Sequence, residues 1–439
     1  MLSRQIKIKK QRALENFSRM IQCSTVDGCE DEFIRFRNTL SELYPNIEKI
    51  CEREFFGKGI VYRWKGMNSN KSIILMSHYD VVPAKSGEWT YEPFSGTIAN
   101  GRVWGRGALD TKCTLAAIME SVESLIQLQF IPKTDIYLCF GGDEETTGES
   151  ARQIAKALNS RGVRPFLILD EGGAIVDANP YGISKPCALV GIAEKGYMDV
   201  EFIIRGKGGH TSLPSVFCPL SEMGELIRRI SKNPFGFKLC KPVSVMIKHA
   251  LKYMNFKHRA LIRAYSFWGR WFFKRLVAEK FPEIKALSGT IGAITQINGG
   301  TAANVIPEQV RATGNFRLIS GESVEYTLNR IKKSLKGLSV EINLIEGLDP
   351  SKASPTEGEG WDALKNAITS SWGESAIVPY LMLAGSDSRY YSLLSDSIYR
   401  FSPCAFTRTD LESIHGVNES IDIDSFFRTI YFYINLIVG

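Results

Sequence analysis

Residues 72–83, SIILMSHYDVVP, constrain the fold more than any other stretch of the chain. Ile73, Ile74, Leu75 and Met76 are consecutive apolar residues, and such a run reads as a buried strand rather than as the alternating face of an exposed sheet. It passes straight into His78, Tyr79 and Asp80, so the strand delivers polar groups to a cleft at its end. An imidazole with a carboxylate two positions on suits a metal ligand oriented by an acid, because a ligating histidine commonly passes its other ring N–H to a carboxylate. Alone, a His-x-Asp at a strand end is more often an ordinary polar rim, and the rest of the chain has to decide.

At 439 residues the chain exceeds the size at which one hydrophobic core usually stops growing, which implies two domains. A first helix is expected within residues 1–23 and a second over 30–43, followed by strands 48–54 and 60–64. Asn100-Gly101 between Thr97-Ile98 and Val103-Trp104 is a tight-hairpin signal. It leads into Gly105-Arg106-Gly107-Ala108-Leu109-Asp110 and a long helix over 111–129; strand 135–140, helix 150–160 and strand 166–169 continue the alternation. Alternating strands and helices imply an α/β fold with a mainly parallel central sheet flanked by helices, its function at the carboxyl ends of the strands.

The pattern changes near Glu194. Strand 197–205, helix 219–231, strands 290–297 and 309–318, helix 323–335 and strand 340–345 give β-α-β-β-α-β, the ferredoxin-like α+β arrangement. Helix 361–371, a short segment at 377–381 and a tail helix over 426–438 then return to the first pattern. We therefore expect a discontinuous larger domain, 1–193 and 350–439, interrupted by a smaller one at 194–349, with an extra helical insertion at about 233–287. That insertion is rich in Phe, Trp, Lys and Arg, a mixture that suits membrane, nucleic acid or an acyl chain. Aromatics at helical spacing more usually mark a buried core, so an added helical subdomain is the plainer expectation.

Hydrophobic residues make up 44% and charged residues 23%, the balance of a globular protein in water. The net charge of +7 is thinly spread apart from the first dozen residues and 248–280, which gives no expectation of a nucleic-acid partner. The basic start lacks a small-residue cleavage site, and the apolar tail is interrupted by Arg428 and Asn435 and too short to cross a bilayer, so no stable membrane insertion is expected. Nine cysteines without a Cys-x-x-Cys pair fit reduced thiols and a cytoplasmic location.

Three acidic sites fall where the alternation places loops after strands. Asp110 closes a glycine loop and could simply cap the helix that follows. Gly141-Gly142-Asp143-Glu144-Glu145 and Asp170-Glu171-Gly172-Gly173 each follow an apolar strand. Successive carboxylates repel one another and are costly without a cation among them, so a turn explains one such site more easily than three. Of five histidines, His249 and His258 sit in the basic insertion, while His210 lies in the glycine loop GKGGHTS and His415 in SIHG. Two histidines with several strand-end carboxylates can build a site for two divalent cations about 3.5–4 Å apart. Mixed N and O donors suit zinc, with cobalt or manganese as alternatives.

SHYDVVP, GRGALDTK, GGDEETTGES, LDEGG, GKGGHTS, GGTAANVIP and ESIHGVNE agree in order and spacing with one known family. On these motifs the chain resembles the M20 family of co-catalytic zinc peptidases and amidohydrolases, in particular its carboxypeptidase S-like and N-acyl amino acid hydrolase-like branch. The resemblance spans essentially the whole chain. It implies a zinc-exopeptidase-like catalytic domain with an inserted ferredoxin-like lid or dimerisation domain, and two Zn2+ per chain. It implies that His78 binds one zinc, that Asp110 bridges both, and that Glu145 and His415 complete the other. Glu171 or Asp170 would be the last ligand of the His78 zinc, with Glu171 preferred. Asp80 would orient His78, Glu144 would be the general base and His210 would help to stabilise the oxyanion, often across a dimer interface in such enzymes. Asn304 matches a substrate-contacting position, and Arg389 with the backbone of Gly385 and Ser386 is the candidate holder of a substrate carboxylate, unless Arg389 is an ordinary surface arginine.

The reaction so implied is attack of a metal-bridged hydroxide on the amide before a free C-terminal carboxylate, in a short peptide or an N-acyl amino acid. A dipeptidase or aminopeptidase-like activity is the alternative within the family, and would call for an acidic pocket in place of Arg389. Outside enzymes the alternative is a binding protein that keeps the fold, which loss of Glu144 or of a ligand would have signalled; all are present. The insertion favours the carboxypeptidase S-like branch but bears on dimerisation, since an added subdomain can cover the lid edge through which a homodimer would form.

Overall fold

The computed structural model describes residues 6, 8–213, 217–232, 234–236, 238–260, 262 and 282–439. Helices Lys10–Ile21, Glu30–Leu43 and Pro45–Ile50 precede strands β1 (Glu52–Phe56), β2 (Gly59–Trp64) and β3 (Asn68–His78). A hairpin of β4 (Thr97–Ala99) and β5 (Arg102–Trp104) leads to helix Lys112–Gln127, β6 (Thr134–Gly141), helix Glu149–Ser160, β7 (Pro165–Val176) and β8 (Cys187–Glu194). Next come β9 (Gly196–Arg205), β10 (Gly209–His210), helices Pro219–Ser231, Lys241–Tyr253 and Pro282–Leu287, β11 (Ile291–Gly299), β12 (Val305–Ile306), β13 (Gln309–Leu318), helix Val324–Ser334 and β14 (Val340–Leu348). Helix Glu359–Trp372, β15 (Ala376–Met382), β16 (Ile398–Ala405), helix Arg408–Ser413, β17 (Ser420–Asp422) and helix Ile423–Val438 close the chain.

The large sheet has the order β1-β2-β6-β3-β7-β16-β8-β15. Its centre is parallel, with β3 between β6 and β7, β7 against β16, and β8 against β15. An antiparallel edge is supplied by β1 and β2, and β16 meets β8 antiparallel. The apolar run of β3 explains its place there. Ile73 and Leu75 pack with Leu115, Ala116 and Met119 of helix Lys112–Gln127, whereas Ile74 and Met76 pack with Ile154 and Leu158 of helix Glu149–Ser160. Each side chain so buried contributes about 1.5–3 kcal/mol, and alternate residues feed two different cores. The tail helix joins the first of these cores through Phe426, Ile430 and Tyr433. Among the described residues, no helix is long and apolar enough to cross a membrane.

A second sheet, ordered β11-β13-β9-β14 and antiparallel throughout, carries its own core of Met198, Phe202, Met223, Leu226, Val310 and Phe316. Its strand order and its two crossing helices are those of a ferredoxin-like unit. The chain leaves the large sheet at Glu194 and returns past Leu348, and the two crossings touch: Ser351 N–H donates to Glu194 O at 3.3 Å.

Three local expectations differ from the structure. Residues 45–50 are helical where a strand over 48–54 was expected, because Pro45 opens a helix at its first turn and the buried Glu123 carboxylate accepts from Ile47 N at 3.0 Å. β7 runs on to Val176, so Asp170 and Glu171 lie inside a strand and not in a loop after it. Strands β8 and β16 were not expected, yet β16 fills the gap between β7 and β8. The aromatic residues Phe267, Trp268, Trp271, Phe272 and Phe273 of the insertion lie outside the described residues.

Candidate metal centre

His78, the last residue of β3, is buried, and its two ring nitrogens face different partners. Nδ1 lies 3.1 Å from Asp80 O and 3.3 Å from Asp80 Oδ1. Nε2 lies 3.0 Å from Asp110 Oδ1 and 3.4 Å from Glu171 Oε1. Asp80 also accepts from Glu145 N through Oδ2 at 2.9 Å, so one buried carboxylate fixes both the imidazole and the acidic loop.

Asp110 is placed by a residue to which sequence reasoning gave no role. The buried Glu419 carboxylate accepts from Leu109 N at 2.7 Å, Asp110 N at 3.1 Å, Gly107 N at 3.1 Å and Arg106 Nη1 at 2.7 Å. Arg106 Nη2 donates to Gly416 O at 2.8 Å, which ties the loop before Asp110 to the segment that carries His415. His415 adopts a left-handed φ of 59°, and its Nε2 lies 3.0 Å from both Asp110 Oδ2 and Glu145 Oε1.

Among the described residues, two groups of three donors result: His78, Asp110 and Glu171, and Asp110, Glu145 and His415, the donor atoms of each lying within 4.8 Å of one another. They share Asp110, one oxygen turned to each group. The electrostatics of the protein alone are lopsided. Burial opposes the charged form of His78, but Glu171, Asp110 and Asp80 outweigh it and hold the imidazole well above its ordinary pKa. Hydrogen bonds donated to the Asp110 and Glu145 carboxylates push His415 up to about 10. Burial would raise Asp110, yet the two histidines pull it well below the usual carboxylate range. Burial drives Glu171 well above that range, and drives Glu144, beside Asp110 and Glu145, up to about 8. Crowded carboxylates that keep protons on themselves and on imidazoles are the donor set a divalent cation displaces protons from, so the residues fit a metal pair.

Glu144 belongs to neither group and is left half-buried beside them. Asp170, one residue before Glu171, turns away: its Oδ2 accepts from Ser388 N at 2.9 Å. Successive residues of a strand face opposite sides, which separates the two acids. Arg389 folds over Gly385, where a Cβ would lie 1.4 Å from its Nη2, and its Nε donates to Ser386 O at 2.8 Å. His210 is exposed on β10, paired with Val305 of β12, and its Nδ1 lies 2.8 Å from Ser212 Oγ; Thr211 N–H donates to Asn304 O at 3.2 Å. His210 and Asn304 are therefore neighbours, but among the described residues neither bonds to the acid-histidine cluster.

Besides Glu419, sequence reasoning missed two buried acids. Asp387 leaves Oδ2 without a hydrogen-bond partner, and a Cβ on Gly141 or Gly148 would lie 2.6 or 2.7 Å from its carboxylate oxygens. Burial, then the neighbouring Glu144, keeps its carboxyl well above the usual range. Glu194 closes β8 and accepts from Ser386 Oγ at 3.0 Å. The sequence signal for either is slight, an acid within GSDSRYY and an acid before Lys195-Gly196.

Residues 74–438 match the model of peptidase family M20/M25/M40. The chain is 32% identical over 421 residues to a probable carboxypeptidase S-like protein of Dictyostelium discoideum, covering 94% of this chain and 80% of that protein. It is 30% identical over 448 residues to an N-fatty-acyl-amino acid synthase/hydrolase of Danio rerio, covering 98% and 85%. An M20 family metallo-carboxypeptidase from Sulfolobus solfataricus shares the fold with a TM-score of 0.71 at 19% identity, covering 97% of this chain and 98% of that one. A dinuclear metal-binding M20 peptidase of Bacillus subtilis does so with a TM-score of 0.60 at 15% identity, over 98% and 97%.

Proposed function

The chain belongs to peptidase family M20/M25/M40, a family of metal-dependent amide hydrolases, and from that membership we propose that it is a two-zinc enzyme cleaving the amide bond before a free C-terminal carboxylate. Its substrates are short peptides or N-acyl amino acids, in keeping with the names of its carboxypeptidase S-like and N-fatty-acyl-amino acid hydrolase relatives. The observation that carries the reading is the pair of three-donor groups sharing Asp110, with Glu144 beside them and bound to neither.

His78, Asp110 and Glu171 would hold one cation, and Asp110, Glu145 and His415 the other; zinc, cobalt or manganese would suit these donors. Divalent cations bound there would supply Lewis acidity and would bring the pKa of water towards neutrality. Glu144, next in sequence to a ligand but free of the cluster, takes the proton of the attacking water and passes it to the leaving nitrogen. Asp80 keeps Nδ1 of His78 engaged, so that Nε2 is offered to the site. The Arg389 fork, with Gly385 and Ser386, receives the substrate carboxylate, as a planar guanidinium suits that partner. His210 donates a hydrogen bond to the developing oxyanion and Asn304 contacts the substrate, both brought up by approach of the 194–349 lid. A homodimer through the second sheet belongs to the same reading, since its edge strands β11 and β14 expose Ile297, Leu344 and Ile345. So does a cytoplasmic location, in keeping with nine free cysteines.

Glu144→Ala is the test. It lowers turnover by about 10²–10⁴-fold while bound metal stays at two per chain; turnover that survives with metal in place removes Glu144 as the base.

A further inference from the structure

Resting on the reading of Arg389, Gly385 and Ser386 as the carboxylate pocket, we propose that Glu194 is the positioning residue that builds this pocket. Glu194 is 2% exposed and ends β8 where the chain crosses to the second sheet. Its Oε1 accepts from Ser386 Oγ at 3.0 Å, from Ser388 Oγ at 3.2 Å and from Arg400 Nε, and Arg389 Nε lies 3.6 Å from its Oε2.

The two arginines it faces are in different states. Arg400, 1% exposed, donates from Nε to Glu194 and from Nη1 to Ile398 O at 3.1 Å, so one of its terminal nitrogens is already taken by the backbone. Arg389 spends only Nε, on Ser386 O, and among the described residues its two terminal nitrogens make no hydrogen bond. A guanidinium fixed through Nε presents Nη1 and Nη2 as a fork for a second carboxylate. The absence of a side chain at Gly385 is what lets that fork lie over the 385–386 backbone. Glu194 thus holds Arg389 by charge and the 386–388 turn by two hydroxyls, and Asp170 secures the same turn through Ser388 N.

The main chain of Glu194 is equally fixed. Its N–H donates to Ser351 Oγ at 2.8 Å, its carbonyl accepts from Ser351 N at 3.3 Å, and Lys195 N–H donates to Met382 O at 3.1 Å. The returning segment at Ser351 and the end of β15 at Met382 thus hold the main chain on either side of Glu194, so its carboxylate is presented from a fixed point. A loosely held acid at that place would let the fork turn to water.

Binding of N-acetyl-leucine and of its C-terminal carboxamide to the metal-free chain, followed by calorimetry, separates the outcomes because nothing is turned over. The acid is expected to bind about tenfold tighter than the amide. Glu194→Gln and Arg389→Ala each erase that preference while moving amide binding less than about twofold, and the double variant is no weaker than Arg389→Ala, since both act through one group. In the metal-loaded enzyme Glu194→Gln raises KM with kcat within about threefold of wild type. Should Glu194→Gln fail to fold, Ser388→Ala removes one donor to Glu194 and lowers acid binding about threefold without touching amide binding. Unchanged acid affinity in Glu194→Gln or Ser388→Ala, or an equal loss for acid and amide, overturns the role of Glu194 while the pocket stands. An unchanged acid affinity in Arg389→Ala overturns the pocket itself.

Discussion

Two regions carry the candidate chemistry, and they are built in opposite ways. At the carboxyl edge of the large sheet, His78 lies 3.0–3.4 Å from Asp110 and Glu171, and His415 3.0 Å from Asp110 and Glu145, on elements anchored by the buried acids Asp80 and Glu419. In a separate two-stranded sheet of β10 and β12, His210 is exposed on a two-residue strand, with Ser212 and the backbone around Asn304 as its partners. The contrast suits the roles proposed for each: ligands for a cation need fixed geometry before the cation arrives, whereas a group proposed to close over substrate has to be free of the cluster when substrate is absent.

The contrast breaks first at Asp110. Asp110→Ala removes the donor common to both groups, and we expect bound metal, measured by elemental analysis, to fall from two per chain to less than one, with turnover down by more than about 10³-fold. Retention of both metals means the groups do not share a ligand. His210→Ala is the mirror experiment: kcat falls by about 10²–10³-fold with metal content unaltered. A loss of metal in that variant erases the distinction between the regions.

Glu419→Gln sharpens how the rigid edge is held. It weakens the acceptor that gathers Gly107, Leu109, Asp110 and Arg106, so metal affinity drops by about 10–100-fold and the denaturant midpoint shifts by about 1–3 kcal/mol of stability. Equal metal affinity in wild type and variant assigns Glu419 to stability alone.

The smallest effect lies between the regions, at Lys195. Burial pushes its ammonium down to about 8 from an ordinary 10.5. Between these values the unfolded chain keeps the proton that the folded chain has lost, so this group makes stability rise with pH from 8 to 10.5 and leaves it level below 8. Lys195→Met never carries the charge, and its stability difference from wild type, read from denaturant midpoints, narrows as pH rises through that window. A constant difference refutes the burial of a charged Lys195.

Much of the large sheet was legible because its signals are local. Four apolar residues in succession at 73–76 cannot alternate between core and water, so β3 had to lie inside a covered sheet. Strand β16 carried no such mark. Its sequence IYRFSPCA places Arg400, Ser402 and Pro403 among apolar residues, and the buried Arg400 is satisfied there by Glu194, which the local sequence does not reveal. Helix Pro45–Ile50 carried no local mark for the same reason, since the acid that accepts from its Asn46 and Ile47 N–H groups is Glu123, far along the chain.

The sequence by itself determined which residue types reach the edge of the sheet: two histidines, a glycine-loop aspartate and two acidic clusters, in an order tied to the strands that deliver them. Only the tertiary structure decided between neighbours. Asp170 and Glu171 are adjacent acids with the same local context, and the register of β7 turns one to Ser388 and the other to His78. Glu419 and Glu194 acquire their roles because the chain brings Gly107–Asp110 and Ser386–Arg389 against them from hundreds of residues away. A buried carboxylate is costly unless donors converge on it, and convergence is a property of the folded chain.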